Sequence, residues 1–591
     1  MFVSNLEQIN EHFHLPISYN SKKMGLRKNI IQDLELTETV DPSGCSIYNT
    51  AFQPSTCFGK KVLEQFPNYY TTDVQYLKDT QQILKKYNPI DCDIDLSNIM
   101  EIWDEIKNDS GFKEKYHFID WPMWEHLNKS ELFLQAMSLY NLTSPVLSFI
   151  IPIIILIIPF FIIKAKGLKI TFTEYLDVLK VIASNHAIGK LFTQFNSVKM
   201  EEQIYLVVSA GFYVFSIYQN ILTCFRFHQN MIKIHSHLKY IQKYIEYTEM
   251  NMNNFLLFCG NMESYANFNA VLRDKMAVLI VFKEKLAQIS PYKLNLKKIW
   301  ELGSVLKQFY DLYQDPIYNS AFMYSFGFNG YLDNIQGISK NIRDGFVNFA
   351  KFSGEKKKRK NIFKKAYYPS LMHSNPVKND YHFKKNMILT GPNASGKTTV
   401  LKSALINIIF TQQMGSGFYE SAQLHPFDFI HCYLNIPDTS GRDSLFQAEA
   451  RRCMEILEII RDDEHAGKTH FCAFDELYSG TNPDDAVMSA LAFMEFLIKS
   501  KSVTCILTTH FIEVCKRLDT HKAIENYHMK TEQKEQKEQK EQKEQKGQKE
   551  YTDFNYTYML KKGISHLRGG LKILHDMNYP KEIIDKTREF Q

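Results

Sequence analysis

From about Asn98 to Phe349 the chain is Gly-poor and rich in Leu, Ile, Phe, Lys and Glu, a pattern that predicts long helices. Beyond it the texture changes to short apolar runs separated by glycine and polar clusters, which predicts strands joined by loops. Two stretches stand out within the helical part. Val146 to Ile163 (VLSFIIPIIILIIPFFII) and Ile204 to Phe225 (IYLVVSAGFYVFSIYQNILTCF) contain no charged residue. At 1.5 Å per residue they would be helices of about 27 and 33 Å, close to the roughly 30 Å of a bilayer's hydrocarbon layer. One reading is a two-span membrane hairpin, and the other is a pair of helices buried in a protein core. Pro152, Pro159, Gln219 and Asn220 favour the core, whereas apolar side chains or proline all round Phe149 to Ile163 favour the membrane. The intervening Lys164 to Gln203 carries six lysines against four acids, so charge bias does not decide the matter.

Two further segments punctuate the chain. A basic run, Lys356 to Lys360 with Lys364 and Lys365, separates the helical half from the strand-rich half and reads as a solvated linker or a phosphate-binding patch. Glu532 to Glu550 repeats EQK triplets and has no apolar residue that could join a core, so it should be a solvated loop or frayed helix. Strand-like Ala523 to Met529 and Phe554 to Leu560 flank it, as though the tract enlarged a hairpin turn.

At 591 residues the chain has the length of roughly four domains and can bury large cores. Ten cysteines without a C-x-x-C pair indicate neither a disulfide framework nor a zinc ribbon, and suit a reducing, intracellular compartment, cytoplasm or nucleus. His235 and His237 lack ligand partners nearby in sequence. A net charge of +5 on this length neither requires nor excludes a nucleic-acid partner. The start, MFVSNLEQINEHFHL, lacks the apolar core of a signal peptide.

The chemistry concentrates near residue 391. Gly391-Pro392-Asn393-Ala394-Ser395-Gly396-Lys397-Thr398-Thr399 fits G-x-x-x-x-G-K-[ST] between two apolar runs. Glycines let backbone N–H groups approach phosphate oxygens, Lys397 would reach the β/γ-phosphates, and the Thr398 hydroxyl would join a Mg²⁺ shell. That pattern indicates ATP or GTP. Downstream, His470 to Phe474 is an apolar strand ending in Asp475 and Glu476, the first suited to the metal side and the second to activating water as general base. A third strand, Val503 to Thr509, ends at His510, which reads as a γ-phosphate sensor or as an ordinary strand-end histidine.

In order and spacing, GPNASGKTT, SGRDSLFQAEARR (Ser440 to Arg452), FDELYSGTNPDD (Phe474 to Asp485) and TTHF (Thr508 to Phe511) resemble the MutS-family ATPase domain. The final KKGISHLRGGLKILHDMNYPKEIIDKTREF resembles the end of that domain, whose helices pack against a partner, and no LSGGQ-type signature precedes Asp475. The resemblance implies an α/β P-loop ATPase domain with a mostly parallel sheet, joined to a long α-helical core. It places the N-terminal part of the core at 1–145, the apolar insertion at 146–225, the returning helices at 226–354, and the ATPase domain at 366–591 with a low-complexity loop at 531–550.

By position it implies that Asn393 contacts nucleotide and attacking water, and that Lys397 and Thr398 hold phosphates and Mg²⁺. Ser444 would serve a partner chain's γ-phosphate, although Leu445 stands where the family usually has threonine. Val377 in SNPVKND would be the platform for adenine. STCFGKKVLEQF and TTDVQYLKDTQQIL (Ser55 to Leu84) resemble the opening of the helical core, with Gly59, Lys60, Leu63, Asp73, Leu77 and Gln81 matching and Thr80 replacing arginine. Because the core begins within about fifty residues, no mismatch-binding or connector domain is expected before it, and the apolar runs stand where the family's DNA clamp would be inserted. The resemblance implies Mg²⁺-dependent ATP hydrolysis, closure with a second MutS-like chain as homodimer or heterodimer, and DNA held by its backbone in mismatch repair or recombination. The rival is a membrane-anchored ATPase with no DNA role. A third reading, an inert scaffold, is opposed by Lys397, Asp475 and Glu476.

Overall fold

The computed structural model describes the chain except residues 1–2, 91–93, 168–170, 186–189, 191–194, 198, 293–295, 354–360, 435, 437–443, 534–553, 568 and 591. The basic run at 356–360, Ser440 to Asp443 of the SGRDS segment and most of the EQK tract therefore lie outside the described residues. The chain divides into two compact units.

The first unit comprises residues 92–250 and 274–322 and is helical. Its core is aromatic. In the helix Leu96–Asn108, Ile99, Trp103 and Ile106 fall at three- and four-residue spacing and are buried, and the Asp95 side chain caps the first turn by accepting from Ser97 N–H. Trp103 stacks on Phe322 at 4.7 Å, and Phe112 on Tyr313 at 4.3 Å. Three helices of this part matter later: α1 (Glu131–Ala165), α2 (Phe172–Asn185) and α3 (Met200–Cys259, whose last residues belong to the second unit).

The second unit comprises residues 3–91, 251–273 and 323–591. Six strands form one sheet: β1 (Asn386–Thr390), β2 (Phe429–Tyr433), β3 (His470–Asp475), β4 (Val503–Thr508), β5 (Ile524–Gln533) and β6 (Phe554–Lys562). Their order is β6-β5-β1-β4-β3-β2, parallel except for the β5–β6 hairpin. That hairpin brackets the EQK tract, and its first strand runs through Gln533, three residues into the segment assigned from sequence to the low-complexity loop. A second, five-stranded sheet of mostly antiparallel short strands, Asn348–Phe352, Ile362–Ala366, Asn379–His382, Ser416–Gly417 and Ser421–Leu424, adds to the single sheet expected.

Helix α4 (Lys397–Met414) is buried along almost its whole length because both apolar and amide side chains are used. Gln413 accepts from the Tyr48 hydroxyl at 2.5 Å and donates to the Phe66 carbonyl at 2.9 Å, while Gln412 donates to the Phe427 carbonyl. The Ser55 to Leu84 segment, two helices (Cys57–Leu63 and Val74–Lys86), supports this arrangement. Asp73 caps the second helix, Gln81 donates to the Ala350 and Gly415 carbonyls, and Thr80 shares a hydrogen bond with the Tyr265 hydroxyl. Asp333 accepts from both the backbone and the hydroxyls of Ser55 and Thr56. A β-carbon at Gly59 would sit 2.1 Å from an Asp333 oxygen, so close approach requires glycine there.

Candidate functional site

Strand β1 is buried at all five positions, which fixes the point where the phosphate loop begins. The loop turns from strand to helix within six residues through left-handed backbone at Ala394 (φ +61°) and Gly396 (φ +93°). At Gly396 a β-carbon would also meet the Tyr558 ring at 3.1 Å. Conformation and space both demand glycine. Helix α4 starts at Lys397, so the unpaired N–H groups of its first turn adjoin the loop.

The parallel register brings three strand ends together. Leu389 pairs with Thr508, and Thr508 with Asp475, so the loops following β1, β4 and β3 leave the same edge of the sheet. Asp475 accepts from the Thr508 hydroxyl on one oxygen and from the Thr398 hydroxyl, at 3.0 Å, on the other. Lys397 is buried, with Nζ 3.4 Å from the Pro392 carbonyl and 2.9 Å from His510 Nε2. Burial lowers its pKa, against the opposing charges of Glu476 and Asp475.

Glu476 has φ +52° and donates its backbone N–H to the Thr508 carbonyl at 3.0 Å. Left-handed backbone at a non-glycine residue is a strained arrangement held by its surroundings. Its carboxylate lies 2.9 Å from His510 Nε2. The hydrogen bond from His510 holds the Glu476 pKa below the ordinary carboxylate value, helped by the charges of His510 and Lys397 and opposed by burial. The imidazole nitrogen thus stands between an ammonium and a carboxylate, and its tautomer decides whether it accepts from the first or donates to the second.

A cavity of about 630 Å³ opens over the loop, lined by Asn393, Ala394, Ser395, Gly396, Lys397, Thr398, Thr399, Glu476 and Val377. That volume lies within the range of small-molecule sites. Gly391 and Pro392, the first two residues of the loop, are buried. Asp475 and His510 are not among the lining residues but bond to them, Asp475 to Thr398 and His510 to Lys397 and Glu476. Tyr367, Tyr368, Tyr381 and Tyr558 also line the cavity, and the sequence reading singled out none of them. A signal existed for one: in FNYTYML, alternation along a strand puts Tyr556 and Tyr558 on one face.

Two features test the fit of a nucleotide and Mg²⁺. Ser395 Oγ is buried in the loop without a hydrogen-bond partner among the described residues, an atom that a bound polyanion would satisfy. No group of three or more His, Cys, Asp or Glu that could hold a metal ion by itself occurs among the described residues. One carboxylate and one hydroxyl, Asp475 and Thr398, are what Mg²⁺ uses when substrate phosphates and water complete its shell. The donor set fits.

Ser444 stands apart from this cavity. It is exposed and is the N-cap of α5 (Leu445–Arg461), where its hydroxyl accepts from Gln447 N–H while Gln447 Oε1 accepts from Ser444 N–H at 2.9 Å. The hydroxyl proton remains available to a further acceptor.

Residues 387–591 match the family described as MutS domain V. Over 216 residues the chain is 28% identical to DNA mismatch repair protein msh3 of Botryotinia fuckeliana, an alignment covering 35% of this chain and 18% of that protein. It is 31% identical over 186 residues to endonuclease MutS2 of Staphylococcus aureus strain bovine RF122, covering 29% of this chain and 23% of that one. With DNA mismatch repair protein MSH3 of Meyerozyma guilliermondii it shares 26% identity over 238 residues, covering 39% and 23%. The chain therefore spans less than a quarter of the length of these curated relatives.

Proposed function

From the premise that this chain is a MutS-family protein, we propose that it binds and hydrolyses ATP with Mg²⁺, that ATP closes two MutS-like chains head to tail, and that the closed pair acts on DNA. One observation carries the ATPase reading: Lys397, Thr398 and Glu476 line one cavity, with Thr398 bonded to Asp475 at 3.0 Å and Glu476 to His510 at 2.9 Å. The relatives' names, mismatch repair proteins and an endonuclease, support a role in mismatch repair or recombination.

Each residue then has a task. Lys397, with the N–H groups at the start of α4, binds the phosphate oxygens and opposes the charge that grows on them. Thr398 and Asp475 would hold Mg²⁺, which would supply electrostatic stabilisation of the transferring phosphoryl group. Glu476 accepts the proton of the attacking water, and Asn393 and His510 orient water and carboxylate. Val377 and Tyr558, which both line the cavity, would contact the base. Ser444 offers its hydroxyl to the nucleotide of a second chain. The DNA reading rests on the relatives and predicts contacts to the phosphate backbone, which are salt-sensitive and blind to sequence.

The experiment is the ATPase rate of the purified chain with Mg²⁺, alone and with homoduplex, mismatched or branched DNA at two salt concentrations. Mg²⁺-dependent turnover stimulated by DNA supports both parts. Turnover indifferent to every DNA removes the DNA part, and no turnover with nucleotide bound removes the catalytic one.

A further inference from the structure

We propose that α1 and α3 form an arm that inserts into a lipid bilayer through residues 146–163 and 204–225. The side chains of this arm are arranged in the reverse of a soluble helix pair. Polar groups meet at the seam: Asn220 Nδ2 donates to Ser148 Oγ at 2.6 Å, the Tyr213 hydroxyl donates to the Ser148 carbonyl at 3.2 Å, and the Cys224 thiol points to the Leu142 carbonyl at 3.5 Å. Apolar side chains point outward, among them Phe149, Ile157 and Phe161 on α1 and Val208, Phe212 and Val214 on α3. Only 6% of the most apolar eighteen-residue window of α3 is buried, so the expectation of a core helix fails for it. This pattern suits lipid, where hydrogen bonds must close within the protein and apolar groups face out.

Length and charge select a bilayer as the occupant. The two runs are about 27 and 33 Å long at the helical rise, against roughly 30 Å of hydrocarbon. Cys224 opposite Leu142 and Asn220 opposite Ser148 set an antiparallel register. Carried along both helices at equal rise, it brings Ile204 level with Ile163, so the uncharged stretches form one band. Lys164, Lys166, Glu201 and Glu202 stand beyond one edge and Arg226 beyond the other. Exposed Gln219 falls within two turns of that second edge. Among the described positions, the exposed apolar residues cover more than half the circumference of each helix at about 100° per residue. A second protein chain would cover one face, whereas lipid surrounds. Pro152 and Pro159 do not interrupt α1, which is helical from Glu131 to Ala165. At one end, Phe160 packs on Phe172 and Tyr175 of α2, whose Leu176, Val178 and Val181 are exposed, as on a helix lying at a membrane surface. The inference needs neither nucleotide nor DNA and stands or falls apart from the ATPase reading.

The test is cell-free synthesis of the full chain with phosphatidylcholine–phosphatidylglycerol liposomes, then a carbonate wash and flotation on a density gradient. The expected result is protein that floats after carbonate and is released only by detergent. Ile157→Lys with Phe212→Lys, outward residues in mid-band, should reduce the floated fraction about tenfold or more. Leu132→Lys and Leu257→Lys, exposed outside the band, should leave it unchanged. Protein that stays at the bottom of the gradient overturns the proposal, whether dispersed, aggregated or dimerised over these helices. Flotation abolished by carbonate, or unaffected by the mid-band lysines, overturns it equally.

Discussion

His510 Nε2 lies 2.9 Å from Glu476 Oε1 and the same distance from Lys397 Nζ. Through this one ring the residue that would activate water is coupled to the residue that would hold the phosphates. His510 is the largest cause of the lowered Glu476 pKa. A base works when deprotonated, so a lowered pKa keeps it active to lower pH, and activity should fall as pH drops through that value. In His510→Ala the main lowering cause is gone, and the acid limb of the kcat–pH profile should move to higher pH. An unmoved limb would separate His510 from the base.

Lys397→Ala should weaken ATP binding on the order of a hundredfold, the loss expected for a buried charged hydrogen-bonding partner. Equilibrium binding of a fluorescent ATP analogue measures it. Retained affinity would mean that the loop backbone alone holds the phosphates.

Tyr558 closes on Gly396, the residue that precedes α4, and lines the cavity. Tyr558→Ala should raise the Kd for ATP by about three- to tenfold, the range of one aromatic stacking contact of about 0.5–1.5 kcal/mol. Binding of inorganic triphosphate should not change. An equal loss for both ligands would assign Tyr558 to the loop's shape instead of the base.

Ser444 has two tasks that substitution can separate. Ser444→Asp keeps a good helix cap and removes the hydroxyl donor, so the fold should survive with hydrolysis lost. Mixed with Lys397→Ala chains, it should regain one composite site and part of the activity. Confirmed mixed dimers without recovery would contradict action across the interface.

Gly59→Ala drives a methyl group into Asp333, which already receives four donors from Ser55 and Thr56. A cost of about 1–3 kcal/mol is expected, read as a lowered Tm. An unchanged Tm would show that the Asp333 loop yields without penalty.

The phosphate loop could be read from sequence because its backbone leaves few residue types free: Gly396 needs left-handed backbone and space, and Lys397 and Thr398 need their own chemistry. The strand-end acids were legible because an apolar run stops at charge. Partners distant in sequence were not. Nothing near Asp475 announces Thr508, and nothing near Ser55 announces Asp333, since many residue types donate or accept a hydrogen bond and only the fold selects among them. The five-stranded sheet escaped because its strands are two to five residues long and carry too few positions for alternation to show. For the apolar runs, composition alone could not distinguish burial in protein from exposure to lipid. Their exposed faces and hydrogen-bonded seam depend on how the two helices pair, which composition does not encode.

The central claim, that this chain is a working ATPase with Glu476 as its base, is tested most directly by single-turnover phosphate release from bound ATP in Mg²⁺, comparing the native chain with Glu476→Ala. The account predicts that both bind ATP alike and that the variant releases phosphate about a hundredfold or more slowly, as expected for loss of a general base. Equal rates in the two proteins, or no release from either with ATP bound, would contradict it.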